Sequence, residues 1–188
     1  MHRYHVFETA HGFAAIGWSG RGVIAFRLPA NTEAEAERAL LRRLPDAVRT
    51  DPPADIAAVI AAAQRYFAGE PTDFDAVAID LGEQSPFFAR VYEAVRRLGW
   101  GESTTYGAVA KSLGAGPEFA RDVGQAMASN PVPLIVPCHR VLAAGGKVGG
   151  FSAPGGSLAK ARMLALEGIE TAAAMPAPKP SPQQSFGF

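Results

Sequence analysis

Short apolar runs alternate with glycines over residues 3–28, as in Tyr4-His-Val-Phe, Phe13-Ala-Ala-Ile-Gly-Trp and Gly22-Val-Ile-Ala-Phe. Runs this short, broken at His11-Gly12 and again at Gly20-Arg21-Gly22, predict a three-stranded antiparallel meander. Asn31-Thr32 then stands ahead of Glu-Ala-Glu-Ala-Glu-Arg-Ala-Leu-Leu-Arg-Arg, a capped helix with acids early and bases late, as the helix dipole favours. A second helix is expected from about Pro53 to Phe67. Gly69-Glu-Pro-Thr-Asp leads on to a short extended piece, Ala76-Val-Ala-Ile-Asp.

The pattern restarts at Ser85-Pro86, a serine cap followed by proline at the first helical position, and Phe-Phe-Ala-Arg-Val-Tyr-Glu-Ala-Val-Arg-Arg-Leu continues as an amphipathic helix. Ser103-Thr-Thr-Tyr-Gly-Ala-Val-Ala-Lys-Ser-Leu reads as a short helix stopped by Gly114. Pro117-Glu-Phe-Ala-Arg-Asp-Val-Gly-Gln-Ala-Met-Ala-Ser reads as another, ending before Asn130-Pro131. Two short helices about a glycine turn suit a helix-turn-helix, but on pattern alone an ordinary helical hairpin is the better reading, since the motif has no strict code. The expected fold class is α+β: a small N-terminal antiparallel sheet with helices over 1–84, then a mostly helical C-terminal domain over 85–170 containing the helix-turn-helix. Residues 171–188, rich in Ala, Pro, Ser and Gln, are expected to be a disordered tail.

At 188 residues the chain can bury a real core, and it has no apolar run of membrane-spanning length. Its first residues turn polar too early for a secretory signal, so a cytoplasmic protein is expected; a monomer is expected as well. The 18 basic and 18 acidic residues cancel overall but not locally: residues 1–84 hold 8 Lys/Arg against 12 Asp/Glu, and residues 85–170 hold 9 against 6. The C-terminal part is therefore the better candidate to face nucleic acid, although a solvated mixed surface would look similar. A single cysteine excludes an internal disulfide framework and multi-cysteine zinc sites. His2, His5 and His11 lie far from Cys138, so no metal is expected.

The chemistry concentrates in Asn130-Pro-Val-Pro-Leu-Ile-Val-Pro-Cys-His-Arg-Val-Leu. A lone cysteine is usually an inert small hydrophobe. A nucleophilic one needs its thiolate favoured, which an adjacent imidazole and the Arg140 guanidinium can do. In extended backbone, however, Cys138 and His139 would point to opposite faces. Either a kink at Pro137 or a bridging water is then required.

Pro137-Cys138-His139-Arg140, with Asn130-Pro131 before it and Leu166-Glu167-Gly168 after a glycine-rich stretch, closely resembles the O6-alkylguanine-DNA alkyltransferase family. The resemblance covers residues 85–170 well and residues 1–84 only in general layout. It implies that Cys138 accepts an alkyl group from O6 of guanine, or O4 of thymine, in double-stranded DNA. It further implies that His139 removes the thiol proton through a water, that Glu167 orients His139, and that Asn130 joins the recognition helix to the active-site strand. Arg121 would fill the space left by a flipped nucleotide, and Thr105 and Tyr106 would hold the phosphate backbone. Ala120 and Gly124 would let the helix approach the minor groove, with Arg140 and Phe151 completing the DNA-facing set. No cofactor is implied, because the substrate carries its own leaving group, and the stable thioether limits each molecule to one turnover.

Three positions depart from the family pattern. Asp122 adds an anion to a DNA-facing helix unless Arg121 pairs with it, Phe151 lacks the hydroxyl of the usual tyrosine, and the loop Ser152–Leu158 is slightly long. Two other functions fit parts of the sequence. A module that flips alkylated bases without transfer would have no use for Cys138, and a cysteine-dependent hydrolase or thiol peroxidase would leave Arg121 and the Asn130–Arg140 layout without a purpose.

Overall fold

In a computed structural model of the protein, residues 1–150 and 156–172 are described. The expected meander forms as β1 (Arg3–Thr9), β2 (Gly12–Ser19) and β3 (Gly22–Ala30), with β2 antiparallel to both neighbours. The sheet is mixed rather than purely antiparallel. A two-residue strand, β4 (Val48–Arg49), adds parallel to β1 because the chain leaving the first helix runs back along Arg3 and Tyr4.

Side-chain alternation lets the sheet bury both faces. Tyr4, Val6, Ala15 and Ala25 pack beneath Ala36 and Leu40 of α1 (Glu33–Leu41), whose Thr32 hydroxyl accepts from the Glu35 N–H. Phe7, Ile16, Trp18, Phe26 and Leu28 face the other way and join one continuous core with α2 (Ala54–Phe67) and the C-terminal half. A bulge between Gly17 and Trp18 keeps β3 in step with both layers.

The edge of β3 is occupied by the chain itself. Val23 N–H donates to Ala78 O (2.9 Å), Asp80 N–H donates to Val23 O (2.9 Å), and Phe26 N–H donates to Pro131 O (2.9 Å). The extended 76–80 segment and the loop after Asn130 are thereby tied to the sheet.

Ser85 caps α3 (Pro86–Arg96) by accepting from the Phe88 N–H, with Pro86 at the first position as expected. Thr105 similarly caps α4 (Tyr106–Ser112), and Gly114 turns the chain at φ 73°. A 3₁₀ turn at Pro117–Phe119 then feeds α5 (Ala120–Ala128). Short parallel strands β5 (Thr104–Thr105) and β6 (Val141–Leu142) were not anticipated, and neither was α6 (Gly156–Leu166). Apolar residues spread around α6 without a clear stripe, so it shows no helical period. No described helix is long and apolar enough to cross a membrane. The expected tail beyond residue 172 and the segment 151–155, with Phe151, lie outside the described residues.

Gly22 combines φ +146° with a space closed by the opposing backbone, where a Cβ would meet Ala78 O at 2.5 Å. Gly22→Ala is expected to lower the unfolding free energy by roughly 2–3 kcal/mol through strain and loss of the 76–80 tie. Urea denaturation checks this, with Gly20→Ala, which meets nothing within 4 Å, as the benign control.

Candidate active site

Asn130 ends the turn after α5 and is buried, so its amide must be satisfied by the chain. Its Nδ2 donates to Val136 O (2.8 Å) and its Oδ1 accepts from the Val132 N–H (3.0 Å), which closes residues 130–136 into a tight loop. Val132, Leu134, Ile135 and Val136 fill the loop with apolar side chains, and Leu134 takes the left-handed conformation at φ 77°.

Pro137 (φ −79°, ψ 66°) then makes an inverse γ-turn, with Cys138 N–H donating to Val136 O at 2.8 Å. Cys138–Arg140 form one 3₁₀ turn, and β6 leaves it to pair with β5 beside Tyr106. The kink at Pro137 therefore exists, and the opposite-face geometry of an extended strand does not apply here.

His139 is fully buried, and its Nε2 lies 2.6 Å from Glu167 Oε1. An ionised carboxylate only accepts, so Nε2 carries the hydrogen. That leaves Nδ1 as a bare acceptor, buried and without a partner among the described residues. Glu167, 5% exposed, also accepts from Arg140 Nε at Oε2 (2.8 Å), Arg140 Nη2 at Oε1 (3.1 Å), the Gly101 N–H (3.3 Å) and the Tyr66 hydroxyl (2.6 Å). Burial opposes its charge, but hydrogen bonds from His139, Arg140 and Tyr66 outweigh this and hold its pKa down at about 2. Burial likewise pushes His139 below the usual imidazole range, with Glu167 pulling the other way.

The sulfur does not have the electrostatic setting expected of it. Burial pushes the Cys138 thiol up, and the opposing influences are a hydrogen bond from Asn130, the Lys160 charge and backbone amides of residues 138 and 139. Arg140 takes no part in this. It is 5% exposed, with its guanidinium held by Glu167 and the Leu98 carbonyl, so it braces the carboxylate and has no free face for DNA.

The cation near the sulfur is Lys160, which the sequence reading passed over as one charge in an unpatterned stretch. It is 1% exposed, donates to Val141 O (2.7 Å) and to the Tyr106 hydroxyl (3.4 Å), and has its pKa lowered to about 8 by burial against the pull of Cys138. Because α6 shows no apolar stripe, no signal in the sequence marked Lys160 as buried. Tyr66 was also missed. It falls in line with Ile56, Val59, Ile60 and Ala63 on the buried face of α2, where a tyrosine needs a hydrogen-bond partner.

A pocket of about 440 Å³ opens onto Cys138 and is lined by Tyr106, Gly124, Met127, Ala128, Gly150 and Lys160. Tyr106 thus points into the pocket, while the Thr105 hydroxyl is used as the α4 cap. Along α5, Arg121, Gln125 and Ala128 are exposed and Ala120 and Gly124 half-buried, forming a mostly small-residue face that runs to the pocket mouth. No salt bridge joins Arg121 to Asp122.

Fold and site together place one buried thiol at the base of a pocket beside an exposed helix face. Residues 86–169 match the family model described as 6-O-methylguanine DNA methyltransferase, DNA binding domain. The chain is 40% identical over 118 residues to the methylated-DNA–protein-cysteine methyltransferase of Mycolicibacterium paratuberculosis, covering 63% of this chain and 68% of that one. It is 46% identical over 103 residues to the protein of that name from Metallosphaera sedula, covering 55% and 62%. The crystal structure of the Mycobacterium tuberculosis OGT in complex with DNA superimposes with a TM-score of 0.71 at 31% identity, over 88% of this chain and 92% of that one. The chain belongs to the methylated-DNA–protein-cysteine methyltransferase family.

Glu167 is depressed from 4.5 to about 2, so the stability it contributes is full above pH 4.5 and is lost as pH falls toward 2. The loss amounts to roughly 3 kcal/mol. Buried His139, also depressed, loses stability on the same side, beginning near its ordinary value of 6.5. Unfolding free energy measured from pH 7 to pH 2 should fall first with His139, below about 6.5, and then with Glu167, below 4.5, and Glu167→Gln should remove the lower-pH component.

Proposed function

We propose that this chain repairs DNA by moving an alkyl group from O6 of guanine in duplex DNA onto Cys138 Sγ, once per molecule. The observation that carries this is the thiol at the base of a pocket, backed by a fully braced His139–Glu167 pair whose free Nδ1 can accept a proton. The thiol proton passes to Nδ1 through a bridging water, and Glu167 stabilises the imidazolium that forms. Sγ attacks the alkyl carbon in line, the S–C bond forms as the C–O6 bond breaks, and the electron pair leaves with the guanine. Lys160 offsets part of the cost of a buried thiolate, and it polarises the Tyr106 hydroxyl toward the leaving base. The S-alkyl thioether is stable to water, so the product is final.

The protein acts as a monomer on double-stranded DNA. We read α4 and α5 as a helix-turn-helix whose second helix lies along the minor groove, where readout is tolerant of sequence and suits a search for lesions. The target nucleotide must leave the stack to reach a thiol 3% exposed, at a cost of a few kcal/mol. Arg121, exposed at the start of α5, enters the gap and offsets that cost, and Ala120 and Gly124 let the helix backbone come close. Asp122 lowers phosphate affinity, since Arg121 does not neutralise it. Thr105 acts through the N-terminus of α4 that it caps. The two-part division near residue 84 separates a supporting segment from this reactive one.

Incubation with duplex DNA bearing one O6-methylguanine, followed by intact mass and peptide mapping, should place one methyl group on Cys138 and restore guanine. Cys138→Ala should show no gain. Lesion binding by the native protein without gain of mass would make it a recognition module instead. Arg121→Ala should slow transfer from the duplex by roughly 10- to 100-fold. The same lesion in a single strand, which needs no base pair opened, should be affected far less.

A further inference from the structure

The mechanism above uses the Glu167 carboxylate but leaves one of its donors unexplained. Tyr66, on α2 of the N-terminal segment, is fully buried and sits 73 residues from His139 and 101 from Glu167 in sequence. Its ring is wedged edge-on against Phe67, Phe74, Trp100 and His139. Packing alone would be served by phenylalanine. The hydroxyl must therefore be accounted for by what it touches, and it touches the pair that takes the proton.

Tyr66 has one hydrogen and two close acceptor candidates, Glu167 Oε1 at 2.6 Å and His139 Nε2 at 3.2 Å. The choice must agree with the tautomer that Glu167 imposes on His139. A hydrogen given to Nε2 would require that nitrogen to be bare, putting the ring hydrogen on Nδ1, where it would block acceptance of the thiol proton. Given to Oε1, it leaves Nε2–H free to donate to the same oxygen and Nδ1 open. The shorter, charge-assisted contact selects the second arrangement.

The shared oxygen has a further effect. Oε1 receives Tyr66, His139 and Arg140 Nη2 together, so each bond draws on a carboxylate oxygen already stabilised by the others. A carboxylate so heavily solvated by donors pulls less on the Nε2 hydrogen, and His139 is a correspondingly weaker base.

We propose that Tyr66 is a positioning residue of alkyl transfer, whose hydroxyl competes with His139 for one oxygen of Glu167 and so moderates the basicity of that histidine. This deepens the transfer reading and rests on it for its functional consequence. It also places part of the proton-transfer machinery in the N-terminal segment, outside the matched residues 86–169.

The other groups facing His139 are Cys138 and Arg140 on its own turn, Lys160 on α6, and Glu167 beyond α6. Tyr66→Phe leaves all of them in place and keeps the ring. With one competitor gone, His139 should become more basic, and the acid limb of the single-turnover rate against pH should move up by roughly half to one pH unit, the worth of one hydrogen bond. 3,5-Difluorotyrosine installed at position 66 is a stronger donor and should move the limb down. The same shifts should appear in an imidazole ¹⁵N titration of the free protein, which also reports the tautomer and needs no DNA. If Tyr66→Phe melts earlier but its rate profile and ¹⁵N titration coincide with the native ones, Tyr66 is only structural and the proposal fails. If the native protein gains no methyl group while the ¹⁵N shifts still occur, the transfer reading fails and the control of His139 by Tyr66 stands.

Discussion

Glu167 brings a negative charge into the interior at the junction of all the parts that matter. Such a burial is tolerable only when the carboxylate is surrounded by donors, and here they come from three places: the 3₁₀ turn after Pro137 through His139 and Arg140, the loop at Gly101, and α2 through Tyr66. Each donor is fixed by the requirement to meet that charge. The position of His139 follows, and with it the nitrogen left free to receive a proton. The same constraint explains why Arg140, adjacent to the reactive pair in sequence, faces inward: with His139 neutral, the carboxylate needs a positive partner more than the surface needs a basic residue.

The thiol is handled differently. It is not activated in the resting protein, since burial raises its pKa, and the influences favouring its charge are local and partial. A buried, protonated sulfur is poorly reactive toward small electrophiles, and one that can pass its proton to a braced histidine is ready when a carbon is held in line. Under the proposed transfer, selectivity comes from the pocket and the helix face beside it, rather than from a standing thiolate.

Much of this was legible along the chain. Glycine punctuation marked the meander, Ser85-Pro86 marked the start of α3, the neighbours of Cys138 singled out its segment, and the family resemblance pointed from there to Asn130 and Glu167. The parts that stayed hidden share one physical reason: they act through contacts distant in sequence or against the habits of their residue type. Lys160 is a charged residue in the core, α6 lacks an apolar stripe, and Tyr66 reaches its partner across 101 residues. The position of Arg140 was misjudged because a cation beside a motif is ordinarily read as solvent-facing. Strands β5 and β6, two residues each, are too short to carry a period, yet they set Tyr106 against the reactive turn.

The loop that Asn130 closes has a second attachment, through Pro131 to the outer strand of the sheet. An outer strand with unpaired amides invites pairing with another molecule, and proteins spend structure to prevent it. Here the covering is shared: the 76–80 segment takes one stretch of the edge, and Pro131, in the segment that carries the nucleophile, takes Phe26. Damage to the reactive loop therefore opens part of an adhesive edge as well as the site.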